Sequence, residues 1–414
     1  MKRLFKRVKI VYPGHRLHGA ELDILLDDGR LIAASSDIED SAADKTYSAK
    51  EIIALPGLVD MQCSAGQPGM EHKEDLDSVR AAARSGGFFH IVLLPDTHPP
   101  VDHGSEVESR LKVNGTHSVK IHTYGTISKG LKGSELSEMY DMWKCGALGF
   151  TDAYHSVGNP SLMRRALDYV KSFGGLIVSA PDDDSLSPGG MVNESAFTMR
   201  LGLKSKPPLA EEVMLHRDIQ LLKYTQSKLH IAAISTKGSV KIIETAKSEK
   251  LPITAGVALA NLVYTEHELE SFDSNFKVLP FLRGEQDRTS LVKALQNATL
   301  DVIVTNHRPE NIEEKDREFD HAAFGMTMLE TAIPIICDQL ADSVGWDTLA
   351  EKMSLNPRKI LGIDAPEVVE GELFEFTLVD PRAKWRYDES TIQSKSQNSP
   401  LFGSELTGRA INWF

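Results

Sequence analysis

Hydrolytic chemistry at neutral pH needs either an activated side-chain nucleophile or a metal ion that lowers the pKa of a bound water. Few residues of this chain fit either role. The carboxylates and imidazole in suggestive surroundings are Asp152 in TDAYHS, Asp182-Asp183-Asp184 in SAPDDD, and His307 with Glu310 in TNHRPE. Asp152 reads as a pocket acid or as a capping and turn residue, since aspartate favours turns. The run Asp182 to Asp184 lies in a loop containing Pro and Gly and reads as a solvated face or a cation cage. His307 and Glu310 are spaced i, i+3, and one such pair does not complete a tetrahedral site. Cys63, Cys145 and Cys337 are too few and too scattered for a disulfide framework or a thiolate metal site. Cys63 alternates with Gln62 and Ser64, which turns it into packing. There is no G-x-G-x-x-G after a strand, no phosphate loop and no G-x-S-x-G elbow. Asn114, Asn193 and Asn297 match N-x-[ST], but no export signal accompanies them, so these are chance matches.

Composition narrows the partners. The chain has 414 residues, 46 Lys plus Arg against 59 Asp plus Glu, and a net charge of −13. That balance disfavours a general nucleic-acid surface, because such affinity comes from basic groups meeting phosphates. At 41% hydrophobic and 25% charged the composition is globular, and the apolar runs are shorter than a membrane span. The basic opening MKRLFKRVKIVYPG lacks an apolar signal region and reads as a first strand. A cytoplasmic location is expected, with no nucleic acid and no membrane as partners.

The elements that must position any site follow from hydrophobic periodicity. Residues 1–55 carry short alternating runs, FKRVKIV, ELDILL and RLIAAS, joined at PG and DDG. Apolar strands then alternate with helical segments. Eight strands are expected at 54–60, 89–94, 118–123, 147–151, 175–180, 229–234, 251–257 and 301–305. DLDSVRAAARSGG is a helix stopped at Gly86-Gly87, and NPSLMRRALDYVKSFGG is one with Asn159 as cap and Gly174 as stop. SVKIIETAKSEK and RTSLVKALQNAT are similar. Eight such units suggest a (β/α)8 barrel, although a doubly wound sheet gives the same local signal. GELFEFTLVDP and KWRYDE return to strand patterning, so the two chain ends are expected to join in one small β domain. The division is 1–55 and 361–414 for that domain and its tail, with the barrel at 56–360. The tail SKSQNSPLFGSELTGRAINWF carries apolar residues that belong against the body.

In such a barrel the chemistry sits just past the C-terminal strand ends. Those ends supply Gln62, Ser64, Ala180, Ala233, Leu279 and Asn306. Gln and Ser are poor zinc ligands, and Ala is none.

Nearly the whole chain nonetheless resembles a dihydroorotase of the amidohydrolase superfamily. The likeness begins with LPGLVDMQCSAGQPGMEHKEDLDSVRAAARSGGFFHIVLLPDTHP and continues through GTISKGLKGSELSEM and GFTDAYHSVGNPSLMRRAL. VNESAF, ISTKGSVKIIE, YTEHELESFDSNFKVLPFLR and DRTSLVKAL extend it, and TNHRPENIEEKDREF, LETAIP, SLNPRKILGI and SKSQNSPLFG complete it. The resemblance implies an α/β fold, a (β/α)8 barrel with a small β-sandwich domain built from both termini. It also implies zinc ions that serve the interconversion of carbamoyl-aspartate and dihydroorotate in pyrimidine synthesis.

The family's functional residues do not carry over. Its first strand ends in His-x-His-x-x-Arg, where this chain has Gln62, Ser64 and Gly66. The Asn of its P-N-T-x-P is Asp96 here, and its Asp-Asp-Gly after strand four is Asp152-Ala153-Tyr154. The ligand histidines after strands five and six are Ala180 and Ala233, and a further pair of substrate or support residues is Asn261 and Leu279. The strand-eight D-H-A-P-H, whose aspartate is catalytic, is Asn306-His307-Arg308-Pro309-Glu310. No residue is therefore expected to be catalytic, to bind a cofactor or to ligate a metal. The expectation is a catalytically silent dihydroorotase-like protein acting as a structural or regulatory subunit. Homodimerisation and assembly with aspartate transcarbamoylase are the partners the resemblance implies. The alternatives are a dihydroorotase or related cyclic-amide hydrolase with repurposed barrel chemistry, and a small-molecule sensor.

Overall fold

A computed structural model describes residues 1–413. Its first strands are β1 (Lys2–Ile10), β2 (Glu21–Asp27), β3 (Arg30–Ser35), β4 (Lys45–Tyr47) and β5 (Ile52–Pro56). The barrel region contributes β6 (Leu58–Cys63), β7 (Phe88–Leu93), β8 (Lys120–Thr123), β9 (Leu176–Ser179), β10 (Val192–Asn193) and β11 (Ser205–Lys206). It continues with β12 (Lys228–Ile231), β13 (Ile253–Ala258) and β14 (Val302–Val304), and the chain closes with β15 (Phe376–Arg386) and β16 (Glu405–Ala410).

Both chain ends build one seven-stranded sheet in the order β16-β15-β5-β1-β2-β3, with β4 also on β1. β1 buries Leu4 and Phe5 side by side and, past Arg7, alternates as its sequence requires, burying Val8 and Ile10. It pairs with β4 through Arg3–Phe5 and with β5 through Val8–Ile10. Between them its register against β2 shifts, and Arg7 adopts a φ of 52°. This bulge lets a single strand change neighbours halfway along its length. Phe5, Ile24, Phe374, Phe376 and Trp413 fill the domain's own core.

The barrel consists of two parallel arcs, β6-β7-β8 and β9-β12-β13-β14. Phe150 joins them by bridging to Gly125 on one side and Ile177 on the other. The expected fourth strand, 147–151, is thus reduced to isolated bridges at one residue. Closure comes where the Ser64 amide donates to the His307 carbonyl at 2.8 Å, beside a Cys63–His307 bridge. Asp60 seals the same seam. Its carboxylate accepts from the Gln62 and Thr305 amides, each at 3.2 Å, and from the Thr305 hydroxyl. Burial pushes the Asp60 carboxyl up to about 6, against those hydrogen bonds.

The first expected strand, 54–60, divides at Gly57. Ile52–Pro56 belongs to the terminal sheet and Leu58–Cys63 to the barrel. A Cβ at Gly57 would stand 2.7 Å from the Phe89 ring and 3.0 Å from the Glu375 carbonyl, so only glycine lets the two sheets approach here. The expected helices form with their caps. Leu76–Ser85 has a reciprocal Asp75/Ser78 capping box, and Pro160–Lys171 starts under Asn159. Val59, Met61, Val92, Leu94, Tyr124 and Val178 pack the barrel interior. No helix among the described residues is long and apolar enough to cross a membrane.

Candidate functional site

The C-terminal strand ends converge on a hydrogen-bonded plug. Gln62, at the end of β6, is buried, and its Nε2 donates to Asn306 Oδ1 at 2.8 Å. The Tyr154 hydroxyl donates to the same oxygen at 3.0 Å, and Asn306 Nδ2 donates to the Leu279 carbonyl at 2.7 Å. Four segments distant in sequence are therefore tied by neutral groups. Burial raises the Tyr154 phenol well above its ordinary value, so it stays a donor. The Arg308 guanidinium lies 4.1 Å from the Tyr154 ring centroid and covers the plug.

Beneath Tyr154, Ala180 and Ala233 line a pocket of only about 50 Å³ with Gln62, Pro181, Leu279 and Phe281. Gln62 Oε1 is buried there with no hydrogen-bond partner. Asp182 and Glu211 also line this pocket, but Asp182 pairs with Lys206 at 2.6 Å and Glu211 accepts from the Ser235 and Thr236 amides at 2.9 and 3.3 Å. Zinc needs several imidazole, thiolate or carboxylate donors together, and with both carboxylates engaged this lining does not fit the ion. Among the described residues, the one group of three His, Cys, Asp or Glu side chains close enough to share an ion is Asp102, His103 and Glu106. It stands outside the plug, at the start of helix Gly104–Leu111, where Glu106 accepts from the His103 amide at 2.8 Å.

Asp152 is a structural residue. Its carboxylate accepts from the Ile127 and Ser128 amides, both at 2.9 Å, and from the Ser128 hydroxyl at 2.5 Å. Burial raises its pKa while those three donors oppose the rise. Asp182 and Asp184 are neither a simple solvated face nor a cage for an ion. They hold the buried ammonium of Lys206, at 2.6 and 2.9 Å. Burial works against that charge, but the two carboxylates outweigh it and raise the lysine pKa. His307 and Glu310 part company. His307 Nδ1 accepts from the Met328 amide at 3.2 Å, whereas Glu310 lies 2.7 Å from the Lys73 ammonium. Cys63 is fully buried in the core between strands and helices.

A mouth cavity of about 950 Å³ remains above the plug, lined by Ser64, Gly66, Asp96, Lys206, Arg308 and Phe324 among others. Ser64 donates to Asp96 Oδ2 at 3.1 Å, while Asp96 Oδ1 has no hydrogen-bond partner. The tail helps hold this rim. Ser394 donates to Glu74, the Glu310 amide donates to Asn398 Oδ1 at 3.1 Å, and Asn398 Nδ2 donates to the Arg308 carbonyl at 3.0 Å. Tyr154, Arg308 and Lys206 were not singled out by residue type. Tyr154 and Arg308 do flank residues at the expected strand ends, but nothing local marks Lys206.

A family model described as dihydro-orotase-like matches residues 51–239. A dihydroorotase of Geobacter metallireducens is 38% identical over 94% of this chain and 92% of its own. One from Acetivibrio thermocellus is 37% identical over 98% of this chain and 95% of its own. The chain belongs to the dihydroorotase-like family. Solved structures agree on its fold. The L-hydantoinase of Arthrobacter aurescens superposes with a TM-score of 0.82 at 23% identity, covering 99% of this chain and 93% of that one. A dihydropyrimidinase from Brevibacillus agri gives 0.80 at 18% identity, covering 99% and 93%. This dihydroorotase-like chain is thus a (β/α)8 barrel with a terminal β-sandwich domain, and its plug occupies the barrel mouth.

Proposed function

We propose that this dihydroorotase-like protein is catalytically silent and serves as a structural or regulatory subunit linked to pyrimidine biosynthesis. The observation that carries the reading is the mutual hydrogen bonding of Gln62, Asn306 and Tyr154 over Ala180 and Ala233. These groups hydrogen-bond one another, although Gln62 Oε1 keeps no partner, and none of them can take a proton from water at neutral pH. The buried carboxylates nearby are engaged as well, Asp60 in the barrel seam and Asp152 in its loop. A protein without that chemistry offers surface. The proposed partners are a second copy of the chain and aspartate transcarbamoylase, in the cytoplasm.

Light scattering tests this, on the protein alone and after mixing with the organism's aspartate transcarbamoylase, beside a dihydroorotase assay. A dimer whose mass rises on mixing, with no turnover, is the expected result. A monomer that never shifts, or turnover of dihydroorotate, overturns the assignment. The mouth cavity supports a second reading, a small-molecule sensor, because Asp96 and Arg308 line about 950 Å³ of space above the plug.

A further inference from the structure

The wall of the mouth cavity carries charge that its own residues only partly use. Among the described residues, five carboxylates line it against three cations, Lys73, Lys206 and Arg308. Most of these groups are engaged. Lys206 is held by Asp182 and Asp184, and Lys73 lies 2.7 Å from Glu310. Asp183 belongs to its own loop, where it accepts from the Ser185 amide at 3.0 Å and the Ser185 hydroxyl at 2.6 Å. No side chain can enter from position 66, since a Cβ there would stand 1.9 Å from the Met70 carbonyl.

Two groups of opposite sign remain. Asp96 accepts from the Ser64 hydroxyl through Oδ2, and its Oδ1 is buried with no hydrogen-bond partner among the described residues. Arg110 is near enough to interact with this carboxylate, but its terminal nitrogens donate to Leu94, Thr97 and Thr123 instead. Arg308 lies over the Tyr154 ring with its Nε 3.7 Å from Glu310, and its Nη1 is likewise buried without a partner. Asp96 and Arg308 act on the Tyr154 phenol in opposite directions, so both stand near it, yet they do not pair with each other. An ionised group short of partners is costly, and a ligand that supplies the missing partner relieves that cost. An anion alone would meet the excess of carboxylates. A cation alone would leave Arg308 unmatched.

We propose that the mouth takes a zwitterion of the amino-acid type, its ammonium toward Asp96 and its carboxylate toward Arg308, a proposal that rests on the small-molecule reading of this cavity. Guanidinium and carboxylate match two hydrogen bonds at a time, which gives the ligand one orientation. Met70, Leu279, Phe281 and Phe324 offer the rest of the molecule an apolar wall, and the volume of about 950 Å³ leaves room for a bulky apolar side chain.

Calorimetric titration of the full chain with free leucine and free phenylalanine tests it. Each is run beside its amide, which lacks the carboxylate, and its N-acetyl form, which lacks the ammonium. At least one free amino acid is expected to bind saturably, with its amide and its N-acetyl form each about tenfold weaker or more. Asp96→Asn should remove the preference over the N-acetyl form, and Arg308→Gln the preference over the amide. Thermal unfolding shows whether each variant folds, and the ligand series on the parent protein decides the matter where one does not. Amides or N-acetyl forms that bind as tightly as the free amino acids overturn the proposal, as do preferences unchanged in both folded variants. Saturable binding of dihydroorotate or of an N-acetyl form alone also overturns it, but leaves the sensor reading standing. If no probe binds, both fall.

Discussion

Gln62 and Asn306 meet at 2.8 Å across the closing seam of the barrel, the amide nitrogen of one on the amide oxygen of the other. Both stand at strand ends where the family resemblance places a metal-binding histidine and a catalytic aspartate. An amide pair in this position is neutral at every accessible pH, with Gln62 Oε1 left unpartnered. The mouth is therefore tied together by hydrogen bonds between side chains.

The first prediction is metal content. Purified from zinc-replete medium, the protein should retain well below one tightly bound divalent ion per chain by elemental analysis, because Gln62, Ser64, Ala180 and Ala233 leave no near-complete donor shell. Stoichiometric zinc at the barrel mouth in anomalous diffraction would show that the donor set has been misjudged.

Ligand preference should be altered as well. Gly66 offers no guanidinium for a substrate carboxylate, and Asp96 brings a like charge to the cavity wall. Calorimetric titration with carbamoyl-aspartate or dihydroorotate should show no binding at physiological concentrations. Saturable micromolar binding would instead favour the sensor reading.

The barrel seam should be sensitive to small changes. Thr305 donates to the buried Asp60 carboxylate through both its hydroxyl and its amide. Thr305→Val keeps the shape but removes the hydroxyl donor, and should cost about 1–3 kcal/mol in urea unfolding. A change below a few tenths would mean that the seam is held by the backbone alone.

A pH effect follows from His230. It is 1% exposed, its Nδ1 lies 2.8 Å from Thr254 Oγ1, and burial pushes its pKa down to about 3. In the unfolded chain the imidazole protonates near pH ~6.5. Between those values the unfolded state binds the extra proton, so this histidine's contribution to stability falls as pH falls. Relative to His230→Gln, the parent should lose about 2 kcal/mol more stability between pH 7 and pH 5. Equal losses in the two proteins would place the histidine in contact with water.

Much of the scaffold was legible in the sequence because its signals are local. The Asp75 and Asn159 caps, the alternation of β1 and the apolar strands each need only neighbouring residues. The division at Gly57 was hidden, since one apolar run serves two sheets and only the approach of Phe89 and Glu375 separates them. The fourth strand was overestimated for a related reason, as Phe150 alone bridges both arcs. At the mouth, the missing imidazoles were visible as residue types, but the Tyr154–Asn306 bond was not. It joins positions 152 residues apart, and no periodicity records such a meeting. Lys206 is a stronger case, because its partners Asp182 and Asp184 carried their own competing readings until the ammonium was placed between them.

The pairing of Pro56 with Phe376 has a consequence for biosynthesis. The edge of β5 that β15 covers waits for a partner 320 residues downstream. Chains are translated from the N-terminus, and domains ordinarily fold as they emerge. Here strands β1 to β5 cannot complete their sheet until the whole barrel has left the ribosome. An emerging β5 thus exposes backbone donors and acceptors of the kind that promote aggregation, and strand β15 is the latch that removes the hazard.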